Sequence, residues 1–234
     1  MKLIGFSSAA LYHIYPRISK ETFNVFRNIG GNAIELMCPP EGLEILENEI
    51  EKSDLSGFDY ISLHTPREIL SSGNIDEIKR ALRRIEKINE KFEFQCIVVH
   101  PDGINDFDIF KNYNFKISIE NEDNSKSSGQ TVNDIKKILD KYDFGMVLDL
   151  NHCYVNDNSM NLARSFLAEF KDKIREIHIS GNIEFHDPLH ISRQQAIIDA
   201  MPRIDFPFII ESKCKDIEQA KKEFDFINTL MNKQ

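Results

Sequence analysis

The sequence predicts an α/β fold, a (β/α)8 or TIM barrel occupying residues 1–234 as a single domain. Two observations carry that prediction: eight short apolar runs follow one another along the chain, and segments of helical periodicity lie between them. A third removes the main competitor. A doubly wound open sheet would normally carry a glycine-rich phosphate turn after an early strand, whereas here Gly30-Gly31 precedes the second run and reads as a helix stop and turn.

The runs, in order, are Leu3 to Phe6, Ala33 to Met37, Tyr60 to Leu63, Gln95 to Val99, Lys116 to Ile119, Met146 to Leu150, Glu176 to Ile179, and Phe206 to Ile210. Each is short and apolar or β-branched, as a parallel strand buried on both faces requires. Their starts recur at intervals of roughly 20 to 36 residues, about one βα unit. Between them, Asn74 to Glu90 places Ile75, Ile78, Leu82, Ile85 and Ile88 three or four residues apart with charges between, which is one face of an amphipathic helix. Asp134 to Tyr142, Met160 to Phe170 and Ile217 to Met231 read the same way. The interval from His100 to Glu120 is the shortest, so a helix around Asp106 to Asn112 should be brief.

With 41% hydrophobic and 29% charged residues, the chain can bury one sizeable core, and disorder is excluded as its organising principle. A formal charge of -9 gives no general attraction to phosphate backbones, although a local basic rim or bound metal cations could reverse the field at a site. No stretch approaches the roughly 18 apolar residues of a membrane span, and Met1 leads into a strand-like segment without a signal-peptide core. The expectation is a cytoplasmic protein with no membrane partner. Cys38, Cys96, Cys153 and Cys214 form no C-x-x-C pair and read as buried thiols, with Cys153 beside His152 the one candidate ligand.

The chemistry stands at the ends of the runs. Six of the seven histidines, His64, His100, His152, His178, His186 and His190, lie at or just beyond such ends, and Glu120, Asp149 and Glu211 hold corresponding places after three other runs. In a barrel the C-terminal strand ends share one face, so these residues should converge there. Imidazole and carboxylate are the nitrogen and oxygen ligands of zinc, manganese and iron, and buried carboxylates demand a nearby cation. Glu35 ends the second strand and points to the same mouth, as substrate binder or structural carboxylate. His13, in Leu11-Tyr-His-Ile-Tyr15, either lines the pocket with the tyrosines or is an ordinary loop histidine. Asn121 to Gly129 is polar and Gly/Ser-rich and reads as a mobile loop beside the metals.

Taken as an ordered set, Ser62-Leu-His64-Thr-Pro66, Val98-Val-His100-Pro101, Ser118-Ile-Glu120-Asn121, Val147-Leu-Asp149-Leu-Asn-His152, Glu176-Ile-His178-Ile-Ser180, Glu184-Phe-His186-Asp-Pro-Leu-His190 and Ile209-Ile-Glu211-Ser212 resemble the xylose-isomerase-like barrel superfamily. The nearer branch is that of endonuclease IV, the AP endonuclease family 2. That resemblance implies a metal-dependent phosphodiester hydrolase acting at abasic sites in DNA, with two or three divalent ions, zinc foremost. His64 and His100 would hold the first ion; Glu120 would bridge to a second held by Asp149, His178 and Glu211; His152, Glu184 and His186 would hold a third. Glu120 and Glu211 would be the catalytic carboxylates.

The superfamily's sugar isomerases and epimerases resemble the chain through Glu120, Asp149, His178 and Glu211 alone, which implies one manganese-like ion and proton transfer beside a carbonyl. Departures from the nuclease pattern are Glu184 and Gly181, where relatives usually carry Asp, and Arg67, where an aromatic is common; Arg67 is a phosphate contact or a solvated rim arginine. A small phosphorylated or sugar-like substrate therefore stands beside DNA, and a non-catalytic metal- or ligand-binding barrel is the third reading.

Overall fold

Strands form where the apolar runs stand: β1 (Ile4–Ser7), β2 (Ala33–Met37), β3 (Tyr60–His64), β4 (Cys96–Val99), β5 (Ile117–Glu120), β6 (Gly145–Asp149) and β7 (Ile174–Ile179). A two-stranded excursion, β8 (Gly181–Asn182) and β9 (Phe185–Asp187), precedes the last barrel strand, β10 (Phe208–Ile210). The computed structural model describes residues 2–202 and 206–232. Strands β1 to β7 and β10 pair in parallel and close, β1 meeting both β2 and β10. The fold is the α/β TIM barrel.

Strand ends run further than hydrophobicity suggests. His64, Glu120 and Asp149 are the last residues of β3, β5 and β6, opposite Val98, Val147 and His178 in the neighbouring strands. Backbone pairing continues through these polar residues because the ladder joins main-chain groups and is indifferent to side-chain polarity. At the other end, β7 begins two residues before its apolar run, because Ile174 is buried although Arg175 beside it is exposed.

Helices follow their caps. Asn74 accepts from the Glu77 backbone N–H at 3.3 Å and starts the helix Ile75–Phe92, whose buried positions include Ile78, Leu82, Ile85 and Ile88. A reciprocal capping box of Thr131 and Asp134 starts the next helix at Val132, ahead of its first strongly periodic residue. The brief element expected after β4 is a 3-10 turn, Phe107–Asn112. Gly30, at φ 115°, closes the helix Lys20–Ile29 in a conformation that favours glycine.

The larger apolar cluster fills the space between the strands and the helices around them. A smaller one, Ala33, Tyr60, Cys96, Val98, Val147 and Ile209, occupies the barrel. Ser7, Glu35, Ser62, Ser118 and Glu176 are also buried among the barrel strands, so the floor beneath the mouth is unusually polar. Among the described residues no helix is long and apolar enough to cross a membrane.

Candidate metal centre

Glu120 is the hub. Its Oε2 lies 3.0 Å from His100 Nε2 and 3.4 Å from His64 Nε2, and the two imidazole nitrogens are 2.9 Å apart. Its Oε1 lies 3.2 Å from His178 Nδ1, which also faces Glu211 Oε1 at 3.5 Å. Two ligand groups therefore share one carboxylate. His64, His100 and Glu120 form the first; Glu120, Asp149, His178 and Glu211 form the second, with the donor atoms of each group within 4.8 Å of one another.

Local structure turns each donor inward. Asp149 caps the helix Leu150–Asn156, where Oδ1 accepts from the His152 backbone N–H at 2.8 Å, and its buried Oδ2 has no hydrogen-bond partner. Asn121 holds that turn from the side. Its Oδ1 accepts from Asp149 N at 2.8 Å, and its Nδ2 donates to Asp149 O at 3.0 Å.

Every imidazole of the mouth has one nitrogen facing an oxygen and the other turned to the centre. Nδ1 of His64 faces Thr65 O at 3.2 Å, that of His152 faces Asn121 O at 2.8 Å, and that of His186 faces Ser180 Oγ at 2.9 Å. His100 Nδ1 lies 2.7 Å from Glu122 Oε1. His178 is turned over: Nε2 points down to Glu35 and Glu176, both at 3.2 Å, and Nδ1 points up.

The electrostatics match a site built around cations. Burial raises the Glu120 pKa, but the charges of His100 and His178 outweigh it and hold this carboxylate well below its ordinary range. Burial likewise opposes charge on His100, yet Glu120 and Glu122 push its pKa up to about 10. Against the same burial cost, Glu211, Glu35 and Glu120 hold His178 well above its usual value. Glu211 goes the other way: burial, reinforced by the charges of Glu35, Glu120 and Asp149, drives it well above the carboxylate range despite His178. His186 is pushed well down by burial and by His152 and Lys213.

These residues fit divalent metal ions. With their Nδ1 atoms turned to oxygen, His64 and His100 present two Nε2 atoms to each other and to a buried carboxylate oxygen that has no hydrogen-bond partner. Only a proton or a cation can occupy such a meeting point, and a His/carboxylate donor set is that of zinc and manganese.

The remaining candidates separate. His152 and His186 face each other across the mouth, with ring centroids 5.8 Å apart. Glu184 stands away from them, exposed at the tight turn of the β8–β9 hairpin, where its carbonyl accepts from Asp187 N at 2.9 Å. A Cβ at Gly181 would lie 2.3 Å from Ser192 Oγ and 3.0 Å from Asp187 O, so a larger residue there would require Ser192 and the hairpin to shift.

Arg67 lines the mouth, but its guanidinium is committed to Asp102 through both Nε, at 3.0 Å, and Nη2. Glu35 is fully buried beneath His178, where it orients the ring and does not reach the pocket surface. His13 is exposed, and its Nε2 faces Lys215 O at 3.2 Å, tying two loops together. His190 Nδ1 meets Glu223 at 2.7 Å, outside the centre. Cys153 is buried with its thiol pushed well up by burial and by Asp149, and Asn121 donates to it. The segment expected to be a mobile loop starts with three buried residues, Asn121 to Asp123, because these brace Asp149, His100 and Lys126.

Several participants carry no obvious mark in the sequence. Glu122 and Asn121 sit in what reads as a polar loop. Glu176 is detectable, since period-two alternation puts it on the same strand face as His178. Arg17, Lys126 and Lys213 line the mouth from loops, and Phe185 from β9, in positions that depend on tertiary contacts.

No family model matches the chain, and no curated protein matches it. Solved structures do match over nearly its whole length. Endonuclease IV from Thermus thermophilus aligns at TM-score 0.68 and 11% identity, covering 92% of this chain and 94% of that one. The probable 3-DHS dehydratase AsbF of petrobactin synthesis from Bacillus anthracis aligns at TM-score 0.72 and 14% identity, covering 97% and 99%. The 3-keto-D-glucoside 4-epimerase YcjR from E. coli aligns at TM-score 0.66 and 14% identity, covering 99% and 100%. At these identities the likeness shows a shared TIM-barrel fold, one carried by enzymes of different chemistry.

Proposed function

We propose that the chain is a metal-dependent hydrolase of phosphate esters with two divalent ions, zinc foremost, in groups bridged by Glu120. The observation that carries this reading is the convergence of His64 Nε2 and His100 Nε2 on Glu120 Oε2, a second ligand group that a one-ion isomerase does not require. Bound ions supply Lewis-acid stabilisation of the charge that develops on a phosphoryl group. The protein supplies the rest. Thr65, Glu176 and Asn121 hold His64, His178 and Asp149 by hydrogen bonds, and the carboxylates of Glu122 and Glu35 stand at ion-pair distance from His100 and His178, so the donors are set before substrate arrives. Glu211, which follows β10 and completes the second group, also lines the cavity, so it would face substrate as well as the ion.

The substrate favoured is a small phosphate ester over abasic DNA. The cavity above the ligands is about 210 Å³, which leaves little room for a nucleotide flipped out of a duplex. Cleavage of bis(p-nitrophenyl) phosphate by zinc-loaded protein, abolished by His64→Ala with His100→Ala, is the expected result; full activity in the double variant would refute the reading.

A second reading has its own observation: the four-residue group is complete, whereas Glu184 is exposed and forms no candidate group with His152 and His186 among the described residues. On that reading one manganese-like ion serves an isomerase or epimerase, with Glu120 and Glu211 moving protons. Incorporation of solvent deuterium beside a ketose carbonyl, retained when His64 and His100 are replaced, would establish it in place of hydrolysis.

A further inference from the structure

Four cations line the mouth, and they are not equivalent. Arg67 is committed to Asp102, and Lys126 lies 3.0 Å from Asp123 Oδ2. Arg17 and Lys213 have no carboxylate partner among the described residues; each lies beside an aromatic ring instead, Arg17 Cζ 5.4 Å from the Tyr12 centroid and Lys213 Nζ 5.5 Å from that of Phe185. In a chain of net charge -9, two unpaired cations on the wall of one pocket are a selective feature of that wall.

Both belong to a cavity of about 270 Å³ that adjoins the metal centre and shares Arg17, Met37, His186 and Glu211 with it. The backbone holds the two cations on the same side. Cys214 N donates to Ala10 O at 2.9 Å, which ties the loop after β10 to the loop after β1, and His13 reinforces the tie at Lys215 O. Lys213 N donates to His186 O at 2.7 Å, so the lysine also follows the hairpin that carries a mouth histidine.

We infer that Arg17 and Lys213 form an oxyanion subsite beside the metal centre, which selects small substrates carrying a second anionic group, phosphate or carboxylate, at the end that does not react. The inference rests on the proposed metal centre only for the identity of the reacting end. A planar guanidinium and a flexible ammonium together suit a tetrahedral or planar oxyanion, since Arg supplies a paired donor edge and Lys a point charge. Tyr12, Met37 and Ala9 give the adjoining wall a partly apolar surface for the carbon skeleton between the two anionic ends.

The test is calorimetric titration of zinc-loaded protein with inorganic phosphate and separately with acetate, with metal content measured on the same samples. Wild type should bind at least one anion; preference for phosphate or acetate identifies the chemistry of the distal group. Arg17→Gln and Lys213→Gln should each weaken binding by about 10-fold, the loss expected for one charge-assisted hydrogen bond, with bound metal unchanged. Lys126→Gln, whose charge is already engaged, should change it less than about 2-fold. Binding of neither anion, wild-type affinity in the Arg17 and Lys213 variants, or an equal loss in Lys126→Gln would overturn the subsite. Wild type that binds no metal yet loses anion affinity in the two variants would refute the metal reading and leave the subsite standing.

Discussion

The two sides of the mouth are built differently. Ligands on the β3–β7 side and at the end of β10 stand on or directly after barrel strands, where parallel pairing sets their height and direction: His64 opposite Val98, Glu120 opposite Val147, Asp149 opposite His178. On the hairpin side, the positions that a third metal would need lie on β8–β9, an excursion of the chain in which His186 takes a positive φ of 61° and Glu184 turns outward. Strand ends bring donors together at fixed spacing; a short hairpin can present one donor and lose the next. Two ions are therefore expected on the strand side, and none that depends on Glu184.

The largest expected effect is at the residue the two strand-side groups share. Glu120→Gln removes a ligand from both, so metal affinity should fall by more than the roughly 10- to 100-fold that loss of an outer partner costs, as read by equilibrium dialysis. Retention of both ions at wild-type affinity would break the comparison. Next, Glu122→Gln and Glu35→Gln should lower affinity at one group each by about 10- to 100-fold, Glu122 through His100 and Glu35 through His178. Competition titration with a chromogenic chelator would separate the two. At the small end, Glu184→Ala should change metal content and activity by less than about 2-fold, as expected for an exposed surface residue; a lost ion would show that the hairpin side holds metal after all.

Much of this difference was legible in the sequence. A carboxylate or histidine closing an apolar run is visible without a structure, because a polar side chain at the C-terminal end of a barrel strand faces the mouth. Glu120, Asp149 and Glu211 stand at or directly after such ends and His178 one residue before one, and all eight barrel strands lie on apolar runs. Glu184 stands at the turn between β8 and β9, and nothing in Glu184-Phe-His186 says that the segment folds back on itself. Glu122 carries no such mark because it lies beyond the end of β5 and its partner, His100, follows a different strand, β4. Arg17 and Lys213 carry none because their proximity depends on hydrogen bonds between loops far apart in the chain, such as that of His13 with Lys215. Pairing along a strand can be read from one sequence, while contacts between loops cannot.

The pH response sharpens the contrast in another way. In the metal-free protein, protonated His100 compensates Glu120 and Glu122, and its pKa of about 10 stands above the ordinary 6.5. A group whose folded pKa is raised contributes stability that is fully present below its unfolded pKa and disappears as pH rises through the folded one. Metal-free protein should therefore lose thermal stability between about pH 6.5 and 10, and His100→Gln should flatten that part of the profile. Bound metal replaces the proton, so the loaded protein should hold its melting temperature over the same window. An equally steep decline with and without metal, followed by calorimetry, would show that His100 does not face the cation.

The central claim is that Glu120 bridges two ions, and the count of metal per chain tests it most directly. Elemental analysis of protein purified without chelator, with anomalous scattering to place the ions, should give two ions for wild type, one against His64 and His100 and one among Asp149, His178 and Glu211. The His64→Ala, His100→Ala protein should retain the second ion alone. One ion in wild type under excess metal, or an unchanged count in the double variant, would contradict the account.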